Sequence, residues 1–107
     1  MKESDIQNEI RLALNPYAII FRTNVGKVKM KDGRFFDTGL PPGHLDLAGF
    51  RKSDGKAVYI EVKTNRGRLR DDQKKFIETV GQYDVIVGVA RSGEEAIKIV
   101  TEGSNEF

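Results

Sequence analysis

Residues 57–63, Ala57-Val58-Tyr59-Ile60-Glu61-Val62-Lys63, constrain this chain more than any other stretch. Val58, Ile60 and Val62 alternate with Tyr59, Glu61 and Lys63, the period of two expected of a half-buried strand. If the apolar set turns toward a core, Glu61 and Lys63 share the other face, two residues apart and pointing the same way. A carboxylate and an ammonium placed like this form either a surface ion pair or half of a metal-dependent phosphodiesterase site. The choice rests on which other polar residues the chain directs at that face.

Composition narrows the chemistry. At 107 residues the chain is long enough for one modest core, a single domain spanning 1–107. With 38% hydrophobic and 32% charged residues, it reads as an ordinary folded chain. No apolar run approaches the roughly 20 residues of a membrane-spanning helix. The opening Met1-Lys2-Glu3-Ser4-Asp5 has no apolar signal region behind it, so a cytoplasmic location is expected, that of a host cell if the gene is a phage's. With no cysteine and a single histidine, His44, zinc sites of the usual kind are excluded, and any metal must take oxygen ligands, as magnesium and manganese do.

Charge is segregated. Residues 22–34 carry Arg22, Lys27, Lys29, Lys31 and Arg34 against Asp32 alone. Residues 63–75 carry Lys63, Arg66, Arg68, Arg70, Lys74 and Lys75 against Asp71 and Asp72. These windows hold +8 within a chain of net +2, leaving −6 for the remainder. Two basic windows flanking one candidate site suit a polyanion, although each alone also reads as a solvated face.

Along the chain, Ser4-Asp5-Ile6-Gln7 reads as a capping box, and Ile6, Ile10, Ala13 and Leu14 form the inward stripe of a helix stopped at Asn15-Pro16. Glu9 lies beside that stripe, either a boundary acid reaching water or one reaching a site beneath the helix. Residues 18–23 form a β run, and 25–36 a hairpin turning at Asp32-Gly33. Lys27, Lys29 and Lys31 make a row that either protects an exposed edge or follows a phosphate backbone. A glycine- and proline-punctuated loop over 37–43 leads to a strand over 44–50, which Ser53-Asp54-Gly55 turns back into 57–63. That hairpin brings Asp46 towards Glu61, and two converging carboxylates are tolerable mainly around a cation. A helix opens at Asp71-Asp72, with Gln73, Phe76, Ile77 and Val80 on one stripe, so Gln73 is polar on a buried face. Residues 84–90 form a strand buried on both faces, and Ser92-Gly93-Glu94-Glu95 is a second capping box. The tail from Gly103 reads as frayed. The expected architecture is α/β or α+β, a central mixed sheet flanked by helices, with a crossover from Lys63 to residue 84 long enough for parallel pairing.

The polar residues directed inward are Glu9, Asp46, Glu61, Lys63 and Gln73. Asp46 followed by Glu61-Val62-Lys63 at the end of the next strand resembles the PD-(D/E)XK nuclease superfamily. Within it, Gly43-His44-Leu45-Asp46-Leu47, Ile60-Glu61-Val62-Lys63, Arg68-Leu69-Arg70 and Gln73 are similar to the VRR-type nuclease domain in its compact stand-alone, phage-like form. Leu45 departs from that pattern, where the family usually has proline. The resemblance implies magnesium or manganese held by Asp46, Glu61 and the backbone carbonyl of Val62, with Glu9 as an additional acid. It also implies Lys63 as the catalytic lysine and Gln73 as its helix-borne support. Lys27, Lys29, Lys31, Arg34, Arg66, Arg68 and Arg70 are then the candidate DNA contacts. The activity it implies is that of a metal-dependent DNA endonuclease, associated with branched substrates such as Holliday junctions and acting as a homodimer.

Two other readings stay open on the sequence. One is a non-catalytic DNA-binding module that keeps the fold and the basic windows. The other is an interaction domain whose charges are surface decoration.

Overall fold

The computed structural model describes residues 2–23, 27–37, 39–41 and 43–103. The elements run α1 (Glu3–Leu14), β1 (Ala18–Arg22), β2 (Lys27–Lys29), β3 (Phe35–Asp37), β4 (Leu47–Arg51), β5 (Ala57–Val62), α2 (Asp71–Val80), β6 (Ile86–Ala90) and α3 (Gly93–Glu102). Strands β1-β4-β5-β6 form one sheet in that order, while β2 and β3 make a separate ribbon. The β1–β4 and β4–β5 pairs are antiparallel and β5–β6 is parallel, so the sheet is mixed and the fold is α+β, consistent with a PD-(D/E)XK-like domain.

Alternation along β5 splits the core in two. Val58, Ile60 and Val62 join Leu47, Ile86 and Ala90 under α1 (Ile6, Ile10, Leu14) and α3 (Ala96, Ile99, Val100). On the opposite face, Leu45, Val87 and Val89 pack with Ile77 of α2, flanked by Tyr59, Leu69, Phe76 and Val80. Each of these large side chains stabilises the fold by about 1.5–3 kcal/mol when fully buried. Helix α2 therefore roofs the face that carries Glu61 and Lys63, which makes that face interior. Leu45, the departure from the family pattern, is fully buried there.

Local chemistry sets the connections. Asp54 accepts from the Lys56 amide, Gly55 takes φ +79°, and the Arg51 amide bonds the Lys56 carbonyl at 2.8 Å, closing the β4–β5 turn. Asp32-Gly33 turns the ribbon as expected, with Gly33 at φ +89°. Gly43 is at φ +86°, and a Cβ there would stand 2.2 Å from the Asp72 carbonyl oxygen. Only glycine lets the loop before Asp46 lie against the start of α2. Gln73 accepts from the Arg70 amide at 3.0 Å, and the Ser92 hydroxyl accepts from the Glu95 amide, opening α2 and α3.

Some boundaries move. Helix α1 begins at Glu3 with Lys2 as its cap, two residues ahead of the expected Ser4 cap, because the Asp5 carboxylate reaches back to the Lys2 amide at 3.1 Å. Strand β4 begins at Leu47, since His44 and Leu45 are irregular and the chain bends at Asp46. Strand β6 begins at Ile86, after a turn in which the Val85 amide bonds the Tyr83 carbonyl. Val25, Thr38 and Pro42, which belong to the expected hairpin and loop, and the tail from residue 104 lie outside the described residues. Among the described residues no helix is long and apolar enough to cross a membrane.

Candidate metal centre

The β4–β5 register pairs Leu47 with Ile60, so one step further along Asp46 stands opposite Glu61. The two residues are tied reciprocally. The Asp46 amide donates to Glu61 Oε1 at 3.2 Å, and Asp46 Oδ2 accepts from the Val62 amide at 3.0 Å. Asp46 is half-buried, while Glu61 is only 1% exposed.

Glu61 Oε2 takes two further partners. Gln73 Nε2 donates to it at 2.7 Å, and Lys63 Nζ lies 3.2 Å away. The Gln73 amide is fixed at its other end, where its oxygen holds the Arg70 amide, so α2 presents the donor in one orientation. The Lys63 backbone continues the parallel pairing, its amide bonding the Ala90 carbonyl at 3.2 Å. Burial pushes the Glu61 carboxyl up to about 7, and the negative charge of Asp46 pushes it the same way, while Lys63 opposes both. Burial and the neighbouring Asp46 charge thus outweigh the Lys63 ammonium.

A third acid, Glu3, lies close to these two. Ligand oxygens of Glu3, Asp46 and Glu61 all lie within 4.8 Å of one another. Glu9 stands elsewhere: its Oε2 accepts from the Gly93 amide at 2.8 Å and so caps the start of α3. Glu3 is an acid of this cluster that the sequence pattern did not single out. It sits three residues ahead of Ile6 on the Ile6, Ile10, Leu14 stripe, a signal available once the helix is allowed to begin before Ser4.

The donor set fits a hard divalent cation. It consists of oxygens that lie within 4.8 Å of one another, and it contains a buried carboxyl whose ionisation is disfavoured by burial and by the Asp46 charge, which a cation would relieve.

The basic residues distribute unevenly. Lys29, Lys31 and Arg34 are exposed on the ribbon, with Lys31 in its turn and Arg34 ion-paired to Asp32 at 2.7 Å. The Lys27 side chain lies outside the described residues. Arg66, Arg68 and Arg70 are exposed on and after the 64–70 loop, and Arg70 pairs with Asp72. The His44 ring packs against Phe76 (centroids 4.9 Å) and Tyr59 (5.9 Å), with Nδ1 on the Leu45 carbonyl. Tyr59 thus gains a packing partner that the strand pattern alone did not suggest.

No curated protein matches the chain. The model of the VRR-NUC domain family matches residues 21–94, which takes in Asp46, Glu61, Lys63 and Gln73 and stops short of Glu3 and Glu9. That family implies a nuclease-type, DNA-processing function, and PD-(D/E)XK nucleases typically use divalent metals. Because the match covers well over half of the chain, this protein belongs to the VRR-NUC domain family.

Proposed function

We propose that the chain acts as one nuclease domain, a magnesium- or manganese-dependent endodeoxyribonuclease selective for branched DNA such as Holliday junctions. The observation that carries this reading is the convergence of the Glu3, Asp46 and Glu61 carboxylates within 4.8 Å, beside the Lys63 ammonium. Asp46, Glu61, Glu3 and the Val62 carbonyl would hold the cation. Bound there, it would supply Lewis-acid polarisation of a phosphate oxygen and a water of lowered pKa.

The chain's own groups do the rest. Lys63 is compact, cationic and anchored by Glu61, so it orients the attacking water and stabilises negative charge developing on the phosphate. Gln73 keeps the Glu61 carboxylate in one rotamer and thereby positions Lys63 as well. We assign the helix acid to Glu3 rather than Glu9, whose carboxylate is already engaged by the Gly93 amide. Lys27, Lys29, Lys31, Arg34, Arg66, Arg68 and Arg70 supply the cationic surface for the DNA backbone.

Symmetric cutting of a junction takes two such sites, so the functional unit is a homodimer. Ile19, Phe21 and Phe50, exposed together on the part of the sheet that α2 does not reach, support a second copy as their cover. Sedimentation of the free protein and its junction complex measures this directly, and a monomer in both states would remove the dimer from the proposal.

The decisive experiment incubates labelled linear duplex, single strand, flap and four-way junction with magnesium, manganese or EDTA. Cleavage is expected with either metal, strongest on the junction, absent in EDTA and absent in folded Lys63→Ala and Asp46→Ala. Salt-sensitive DNA binding with no cutting under any divalent cation would make the chain a non-catalytic binding module instead.

A further inference from the structure

A groove of about 530 Å³ opens beside the acid group, between α1, the loop after β5 and the β6–α3 connection. Its wall on α1 is formed by Ile6 and Glu9, at three-residue steps from Glu3. At a rise of ~1.5 Å per residue, Glu9 stands ~9 Å along the helix from Glu3. That distance equals two to three stacked nucleotides at about 3.4 Å each. The volume far exceeds the ~30 Å³ that one water occupies, so the groove admits a sugar-phosphate unit and not merely an ion.

The opposite wall is cationic. Arg66 and Arg91 line it, with Thr64, Asn65 and Ser92 between them as hydroxyl and amide groups. Among the described residues neither arginine has a carboxylate within ion-pair distance, whereas Arg34, Arg51 and Arg70 are each paired with an aspartate. Arg91 is also pre-organised, because its Nη2 donates to the Gly67 carbonyl at 2.9 Å and its own amide is held by Glu95. Glu9 is the one acid in the groove. By accepting from the Gly93 amide it fixes the turn that carries Arg91 and Ser92, so its role there is to position the cationic wall.

Resting on the nuclease reading of the acid group, we propose that this groove is a phosphate subsite in which Arg66 and Arg91 hold the DNA backbone within three nucleotides of the bond being cut. Arginine suits the task, since its planar fork grips a phosphate through two parallel hydrogen bonds. The subsite fixes which bond the acid group reaches. Arg68 and the ribbon lysines contribute field without register.

Cleavage interference tests this. The best-cut DNA of the panel is prepared with one neutral methylphosphonate linkage at a defined position, incubated with magnesium, and its products are mapped bond by bond. For wild type, cutting should fall about tenfold at one bond offset from the neutral linkage, the effect of losing a charged hydrogen bond. Arg91→Gln and Arg66→Gln should cut more slowly overall and lose that offset suppression. Their binding in EDTA should depend less steeply on salt, with a slope shallower by about 0.9 for each phosphate contact removed. If Arg91→Gln fails to fold without its Gly67 contact, Arg66→Gln carries the same comparison. An interference pattern and salt slope shared by wild type and the folded variants would overturn the subsite while leaving the nuclease intact. Wild type that cuts nothing, with variants that still lose salt dependence, would sink the nuclease reading and keep the groove as a DNA contact.

Discussion

Gln73 and Glu61 form a buried side-chain pair, the amide nitrogen 2.7 Å from the carboxylate oxygen that also faces Lys63. Twelve residues of chain separate them, and helix α2 closes the distance. The pair links the sheet's acid to the helix that roofs it, so the geometry of the site depends on how α2 packs on β5 and β6.

Gln73→Ala should therefore act at two levels. Removing the donor leaves a buried carboxylate oxygen short of a partner and should lower stability by about 1–3 kcal/mol. The loosened Glu61 should lower manganese affinity by about 10–100-fold, the usual effect of losing a group that orients a ligand. Urea unfolding in EDTA and calorimetric titration with manganese separate the two. A folded variant with wild-type manganese affinity would remove Gln73 from the site.

The raised carboxyl of Glu61 predicts a pH dependence whose sign is opposite to that of most acids. With a folded value of about 7 against an ordinary 4.5, the folded state holds the proton more tightly than the unfolded chain does. Its contribution to stability is complete below pH ~4.5 and is lost as pH rises through about 7. The metal-free protein should lose on the order of 1–3 kcal/mol across that window, and Glu61→Gln should flatten the curve. Adding manganese should reverse the slope, because the cation favours the ionised carboxylate. Urea midpoints from pH 4 to 8, with EDTA and with manganese, measure both. A metal-free curve that rises through the window would contradict the assignment.

Much of this was legible because the relevant spacings are local. Val58, Ile60 and Val62 set the face of β5, and Ser53-Asp54-Gly55 sets the hairpin that places Asp46 beside Glu61. A glutamine on the Phe76, Ile77, Val80 stripe marked Gln73 as a buried polar group in need of a partner. Glu3 was hidden by the competing Ser4-x-x-Gln7 capping pattern, which puts the helix start two residues too late. Glu9 shows a different limit of local reading. Periodicity places it near the inward stripe, yet its partner is the Gly93 amide, 84 residues away, and nothing local announces it. The same holds for Arg91, whose anchor is Gly67. The aromatic contact of Tyr59, Phe76 and His44 likewise joins a strand, a helix and a loop.

Gly43 offers a test of how the loop before β4 delivers Asp46. Gly43→Ala faces a positive φ, which disfavours an L-residue by about 1–2 kcal/mol. It also meets backbone at 2.2 Å, which a shift of the loop or of α2 must relieve. Gly55→Ala shares the positive φ but meets nothing within 4 Å. Gly55→Ala should lose about 1 kcal/mol and keep manganese binding, while Gly43→Ala should lose more and bind manganese poorly even when folded. Equal behaviour of the two in unfolding and titration would mean that the contact with Asp72 does not hold the site.

The choice between the two acids of α1 is the sharpest prediction, because stability and metal affinity should move in opposite ways. Glu3 is exposed in the first turn, so Glu3→Gln should change stability by less than about 1 kcal/mol, mostly through the helix dipole. If it is a ligand, manganese affinity should fall by at least the roughly 10–100-fold that loss of a merely supporting group brings. Glu9→Ala removes the partner of the first α3 amide and should lower stability by about 0.5–2 kcal/mol, as loss of a helix cap does. It leaves Glu3, Asp46 and Glu61 in place, so manganese affinity should hold. Urea unfolding in EDTA beside manganese titration of both variants reads all four quantities. Should Glu9→Ala weaken the metal while Glu3→Gln leaves it untouched, the helix acid is Glu9, and the Gly93 contact must break when the cation binds.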